Sequence, residues 1–170
     1  MKKTLIVFQI VLLSVLSYAQ SNKQVPSVQI KTLDGRTVNT SVFENDGNPI
    51  ILTFWATWCK PCIKELSAID DLYEDWQDET GVKIIAVSVD DTRSLSKVKP
   101  FVDGRGWEYE FYTDANSDLK RAMNISDIPS TFILDGEGNI VWQHTSYSEG
   151  GEHKLFEIVK KIKAGKSIEN

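Results

Sequence analysis

Phe54-Trp55-Ala56-Thr57-Trp58-Cys59-Lys60-Pro61-Cys62 is the stretch on which the reading of this chain turns. Just upstream, after the turn residues Gly47-Asn48-Pro49, Ile50-Ile51-Leu52-Thr53-Phe54-Trp55 runs without apolar–polar alternation. That is the pattern of a strand buried on both faces, as in a parallel or mixed sheet. Downstream, Cys62, Leu66, Ile69, Tyr73 and Trp76 step by 4, 3, 4 and 3 residues, one face of an amphipathic helix. Glu65, Asp70, Asp71, Glu74 and Asp75 lie largely off that face, and Gly81 ends the run. The spacing predicts a buried strand, a short turn and one helix from Cys59 to Gly81.

Both cysteines of the 170-residue chain fall at that junction. Cys59 stands where a helix begins, and unpaired N–H groups and the helix dipole there stabilise negative charge. A thiol with an unperturbed pKa of about 8.5 is only about 3% thiolate at pH 7, and this setting lowers the pKa by several units. Cys62, one turn on, is expected to be less exposed and close enough to attack a mixed disulfide on Cys59. The pattern supplies an exposed nucleophile and a resolving thiol. Pro61 suits the first helical turn, where its missing N–H would be unpaired anyway.

The chain's length allows one domain, and 41% hydrophobic with 25% charged residues excludes a disordered tail or a multispanning membrane protein. Nineteen basic against 24 acidic residues give a net charge of -5, so no basic field attracts nucleic acid. Two cysteines with His144 and His153 formally make four zinc ligands, but the histidines lie more than eighty residues away, and Trp58 and Pro61 around the pair point to redox chemistry. No metal is expected. A peroxidatic cysteine would follow a Thr-x-x pattern, which Thr57 and Cys59 do not make. Trp58 is expected to flank the site, and Phe54, Trp55, Trp107 and Trp142 to serve the core or a sheet face. Asp70, Asp71, Glu74, Asp75, Asp78 and Glu79 read as a solvated helix face.

Met1-Lys2-Lys3, an apolar run from Leu5 to Leu16 and Ser17-Tyr18-Ala19 form the three-part pattern of a secretory signal peptide over residues 1–19, with an uncleaved anchor or a buried strand as the alternatives. Removing it leaves 17 basic and 24 acidic residues, a net of -7. A close thiol pair outside the cytoplasm is either oxidised or actively kept reduced. Residues 20–27, polar and containing Pro26, read as a flexible lead-in. Residues 28–165 read as the domain and 166–170 as a tail. Asp34-Gly35 marks a hairpin between the alternating segments around Val28–Lys31 and Val38. Val82–Val89 reads as a second buried strand, followed by a helix capped by Asp90-Asp91-Thr92 and running to about Asp103 across Pro100. A short strand at Tyr109–Tyr112, a helix at Ser117–Met123, a hairpin of Thr131–Leu134 with Ile140–His144 and a helix at Gly151–Ala164 complete an α/β chain, a mixed sheet with helices on both faces.

The stretch from Phe54 to Cys62 resembles the active site of the thioredoxin superfamily, and Ile128-Pro129-Ser130-Thr131-Phe132 resembles the cis-proline loop that faces the dithiol in that fold. Cys62-Ile63-Lys64-Glu65 is similar to the secreted TlpA/ResA-type thiol–disulfide reductases, which carry an acid three residues after the second cysteine. The Val87-Ser88-Val89-Asp90 strand end, the extra strand–helix segment to Tyr112 and the Asp114 turn resemble the same group. The likeness covers about residues 27–165. It implies a thioredoxin-like fold with an N-terminal hairpin and a central strand–helix insertion. It also implies a cis bond before Pro129, with Trp58, Ile128 and Pro129 binding an extended substrate chain beside Cys59.

One departure is informative. Cytoplasmic thioredoxins bury an aspartate six residues before the first cysteine, and here that position is Thr53. Glu65, partly buried and with a raised pKa, is the expected replacement. The resemblance implies an extracytoplasmic, monomeric reductase of exported proteins, without metal or organic cofactor, re-reduced by a membrane thiol carrier. A disulfide-donating oxidase with the same dithiol, and a binding module for exported chains without turnover, are the alternatives.

Overall fold

In the computed structural model, which describes residues 23–166 and Ile168, the unalternating run forms strand β3 (Ile50–Trp55), buried at every position. Successive strand residues point to opposite faces, so both faces of β3 are covered. It pairs in parallel with β4 (Lys83–Ser88) and antiparallel with β6 (Ser130–Leu134). Outward on one side lie β5 (Glu110–Thr113) and the hairpin of β1 (Gln29–Thr32) with β2 (Thr37–Asn39); on the other lies β7 (Ile140–Thr145). The result is a seven-stranded mixed sheet in the order β2-β1-β5-β4-β3-β6-β7. The signal peptide expected at residues 1–19 lies outside the described residues, as do Ser167, Glu169 and Asn170 of the tail.

The single helix expected from Cys59 to Gly81 is two helices, α1 (Lys60–Asp70) and α2 (Tyr73–Thr80). Its apolar stripe persists across the break, with Cys62, Leu66, Ile69, Tyr73 and Trp76 all at most 5% exposed. At the break the Leu72 N–H bonds the Ile69 carbonyl at 3.0 Å, three residues back in place of four, and in the turn before it the Tyr109 hydroxyl donates to the Leu66 carbonyl at 2.7 Å. Gly81 does end α2, in the left-handed conformation at φ 70° that costs glycine least.

The helix expected from Asp90 across Pro100 also differs. Asp91 caps the segment, accepting from the Arg93 and Ser94 N–H groups. A 3-10 turn (Leu95–Lys97) then precedes α3 (Val98–Asp103). Pro100 therefore falls in the first turn of α3, where no N–H is needed. The helix α4 (Asp118–Ala122) and the hairpin of β6 with β7 follow as the pattern suggests, and α5 (Gly151–Lys163) packs on α1 and α2, with Phe156 stacked on Trp76 at 4.6 Å. Residues expected to be a flexible lead-in are tied down from Lys23 onward. The Ile140 N–H donates to the Lys23 carbonyl at 2.7 Å, Gln24 bridges Asn139, and the Thr40 hydroxyl donates to the Pro26 carbonyl.

At the end of β3, Trp55 is fully buried, with the rings of Phe101, Trp107 and Phe111 centred 5.8 to 5.9 Å away. Among the described residues its indole N–H has no hydrogen-bond acceptor, and the surrounding π faces offer only weak ones.

Leu134 pairs with Ile50, so the turn between β6 and β7 lies at the pole opposite the C-terminal end of β3. A Cβ at Gly136 would sit 2.1 Å from the Gly47 carbonyl oxygen. Gly136→Ala should therefore cost about 1–3 kcal/mol in denaturant unfolding while leaving disulfide exchange at its wild-type rate.

Candidate active site

Between β3 and α1 the chain makes a turn locked from a neighbouring strand. Asp90, fully buried just beyond β4, accepts from the Thr57 N–H at 2.8 Å, the Thr57 hydroxyl at 2.6 Å and the Ser88 hydroxyl at 2.9 Å. Asp90 is thus not the helix cap that its position after a strand suggests; it holds the active-site turn. The same bonds commit the Thr57 hydroxyl to Asp90.

The turn delivers Cys59 as the N-cap of α1, with Pro61 in the first turn. The two cysteines form a disulfide with Cα atoms 5.3 Å apart. Cys59 Sγ also accepts from the Cys62 N–H at 3.3 Å, so the helix's unpaired donors are aimed at the first sulfur. Cys59 is less open than expected, at 5% exposure, with Cys62 at zero. The oxidised Cys59 sulfur is bonded to Cys62 and lies 3.9 Å from the Ile128 carbonyl oxygen, which together withdraw it from water. Trp58 takes the exposed place instead, at 63%.

The Ile128–Pro129 bond is cis. The Pro129 carbonyl is taken by the Ser146 N–H at 2.9 Å. Among the described residues, the N–H and carbonyl of Ile128 have no backbone partner, which leaves that edge free beside Cys59.

Glu65, one turn beyond Cys62, is more deeply buried than expected, at 6% exposure. Its carboxyl meets two threonines from adjacent strands. The Thr131 hydroxyl lies 3.1 Å from one oxygen, the Thr53 hydroxyl 3.4 Å from the other, and the two hydroxyls lie 3.0 Å from each other. Each threonine has one hydroxyl proton. With Glu65 ionised, three contacts share two protons; with Glu65 protonated, each contact has its own. Burial pushes the Glu65 pKa from its ordinary 4.5 to about 7 against the hydrogen bonds from Thr131 and Thr53, with Glu152 adding a like charge.

The remaining candidates separate cleanly. His153 is exposed on α5 and His144 stacks on Trp142 at 5.8 Å. Among the described residues no three His, Cys, Asp or Glu side chains gather at metal-binding spacing. Sequence reasoning missed Asp90 as a site residue, although it stands at a strand end aligned with that of β3, and it missed Thr131, although Pro129-Ser130-Thr131 was in view.

Comparison with known proteins matches this architecture. Residues 21–143 fit the model of the AhpC/TSA family. The chain belongs to that family. It is 30% identical over 178 residues to the thiol-disulfide oxidoreductase ResA of Bacillus anthracis, spanning 95% of this chain and 99% of the relative. It is 32% identical over 122 residues to the thioredoxin-like protein YneN of Bacillus subtilis, spanning 71% of this chain and 69% of the relative. A thioredoxin-like protein of Porphyromonas gingivalis, solved in solution, superposes with a TM-score of 0.74 at 52% identity, over 84% of this chain and 95% of that one. With a thioredoxin-like fold, the Cys59–Cys62 pair and these relatives, the chain is a thiol–disulfide oxidoreductase.

A carboxyl whose pKa rises on folding binds its proton more tightly in the native state. Its stabilising contribution is full below pH 4.5 and is lost as pH rises through about 7. The oxidised protein should lose about 3 kcal/mol from this group between pH 4 and pH 8. Glu65→Gln, which keeps the size and the hydrogen bonding, should abolish that share of the pH dependence in urea titrations at the two pH values.

Proposed function

We propose that the protein reduces disulfides of exported proteins in the periplasm or an equivalent compartment beyond the inner membrane. The Cys59 thiolate attacks one sulfur of the substrate disulfide; a Cys59–substrate disulfide forms and one substrate thiolate leaves. Cys62 loses its proton to Glu65 and attacks the Cys59 sulfur, releasing the second substrate thiolate and closing the Cys59–Cys62 disulfide. Two electrons pass from the protein to the substrate. The carrying observation is that Cys59, at the tip of α1, lies 3.9 Å from the unpaired backbone of Ile128. An extended chain added along Ile128 and Pro129 would place its disulfide against that sulfur, with Trp58 as the exposed flank.

The N-terminal pattern at residues 1–19 supports export, either as a cleaved signal or as a retained anchor. An oxidising compartment demands a source of electrons, so a membrane thiol carrier re-reduces the pair. The protein works as a monomer, and the dithiol needs no metal or organic cofactor.

Cys62→Ser, reduced and offered an exported disulfide protein, should accumulate a mixed disulfide through Cys59; Cys59→Ser should trap nothing and lose the biological effect. An effect that survives Cys59→Ser would leave a binding module in place of an enzyme. The reduction potential fixes direction: a value near that of thioredoxin, about -270 mV, fits a reductase, and one near about -120 mV would make the protein a disulfide donor.

A further inference from the structure

Glu65, one helical turn beyond Cys62 on α1, lines a cavity of about 200 Å³ with Thr131, Trp142, His144, Tyr147 and Glu152. That volume is large enough for several water molecules, and Glu65, Thr131, Tyr147 and Glu152 are among the polar side chains that could partner them. Glu152, in the first turn of α5, has a side chain only 11% exposed. The Tyr147 hydroxyl donates to Glu152 Oε2 at 2.8 Å, and His153 Nε2, on a side chain 72% exposed, lies 3.8 Å from Glu152 Oε1. A buried acid, a cavity, a second acid and an exposed imidazole thus follow one another from the core to the surface.

The opening at Cys59 offers no such route. In the disulfide form Cys59 is 5% exposed, and a chain docked along Ile128 would cover the same sulfur in the mixed disulfide. Resting on the reading of Glu65 as the proton acceptor of Cys62, we propose that Glu65 exchanges its proton with solvent through this cavity, with Glu152 as the outer carboxylate. The Cys62 S–H bond breaks and the proton binds a Glu65 oxygen. It then passes by way of cavity water to Glu152 and leaves at His153 or directly to bulk water; no electron travels with it. The substrate thiolates take their protons from solvent separately.

The charged and titratable groups around Glu65 fit this assignment. Glu152 and Lys154 come from α5, Tyr147 from the loop after β7 and His144 from β7 itself, while Lys64 on α1 is paired outward with Glu149 at 2.9 Å. Of these, Glu152 is the group whose charge raises the proton affinity of Glu65. Burial and the contact with Glu152 push the Tyr147 hydroxyl up, which keeps it a donor that orients Glu152. Glu152 is a positioning residue: it acts through Glu65 and touches neither sulfur nor substrate.

The test is the pH dependence of Cys62 attack, followed in single turnovers of a preformed Cys59 mixed disulfide in the full protein. Glu152→Gln should move the Glu65-dependent limb to lower pH by about threefold in proton concentration. It should also slow the reaction in a way that added imidazole or formate restores, and Glu152→Asp should restore both properties without added carrier. A purely structural role for Glu152 would lower stability and move neither the limb nor the buffer response, and that result overturns the proposal. If Glu65→Gln abolishes the limb while Glu152→Gln leaves it in place, the proton leaves by another path and the Glu65 mechanism stands. If Glu65→Gln leaves the limb unchanged, both readings fall.

Discussion

The site depends on the placement of β3, six residues with no exposed position and a hydrogen-bonded neighbour on each side. Sealed on both faces and paired along both edges, that strand can neither shift register nor tilt without breaking two ladders and exposing apolar surface. Its end is pinned as well: the Val89 N–H donates to the Trp55 carbonyl at 2.8 Å, and Asp90 one residue later holds both the N–H and the hydroxyl of Thr57. Cys59 therefore starts α1 at a place determined by β3 and β4 together. Antiparallel β6 on the other side begins at Ser130, which brings the preceding Pro129 and Ile128 up against the same sulfur.

The same strand pair prepares the carboxyl. Thr53 on β3 and Thr131 on β6 are register partners, so their hydroxyls emerge side by side under α1, where Glu65 reaches them. A carboxylate buried at Thr53 would be fixed to the sheet. Glu65 instead is carried by the helix that carries both sulfurs, and the sheet contributes two neutral hydroxyls. Desolvation favours the neutral acid, and the proton count of the three-way contact favours it too. Hydrogen bonds to the ionised form oppose both without overcoming them. The balance sits near neutral pH, where an acid exchanges protons with a thiol most readily.

Much of this was legible from residue order. The unbroken apolar run of Ile50–Trp55, the 4-3-4-3 stripe from Cys62 to Trp76 and the Asp135–Gly138 hairpin each state a local preference that the fold keeps. Periodicity could not reveal the break at Asp71 and Leu72, because the stripe continues through it, and the Tyr109 hydroxyl that meets the turn just before it comes from 43 residues away. Asp90 was misread for the same reason. An acid after a strand looks like a helix cap, and only the adjacency of β3 and β4 reveals Thr57 as its partner. Burial of Glu65 was half legible: its spacing from Cys62 marks it, but the two threonines that enclose it are 12 and 66 residues distant. The exposure of Cys59 was overestimated because a helix tip is ordinarily open, and here the loop at Ile128 closes over it.

These contacts divide the molecule's two currents. Electrons must pass at Cys59, since Cys62 is fully buried and the free backbone edge lies at Ile128. The proton released when Cys62 becomes a nucleophile has no reason to follow them, because the surface that admits a substrate is the surface the substrate then covers. In the mechanism we propose, an acid one helical turn beyond the second sulfur, lining a cavity of its own, removes that conflict. It also explains why a costly buried carboxyl is placed at residue 65 and not nearer the mouth: a charge beside Cys59 would compete with the thiolate that the helix N-terminus stabilises. Separated by one helical turn from Cys62 and two from Cys59, Glu65 in the proposed role holds a proton for the one sulfur while leaving the field at the other to the helix.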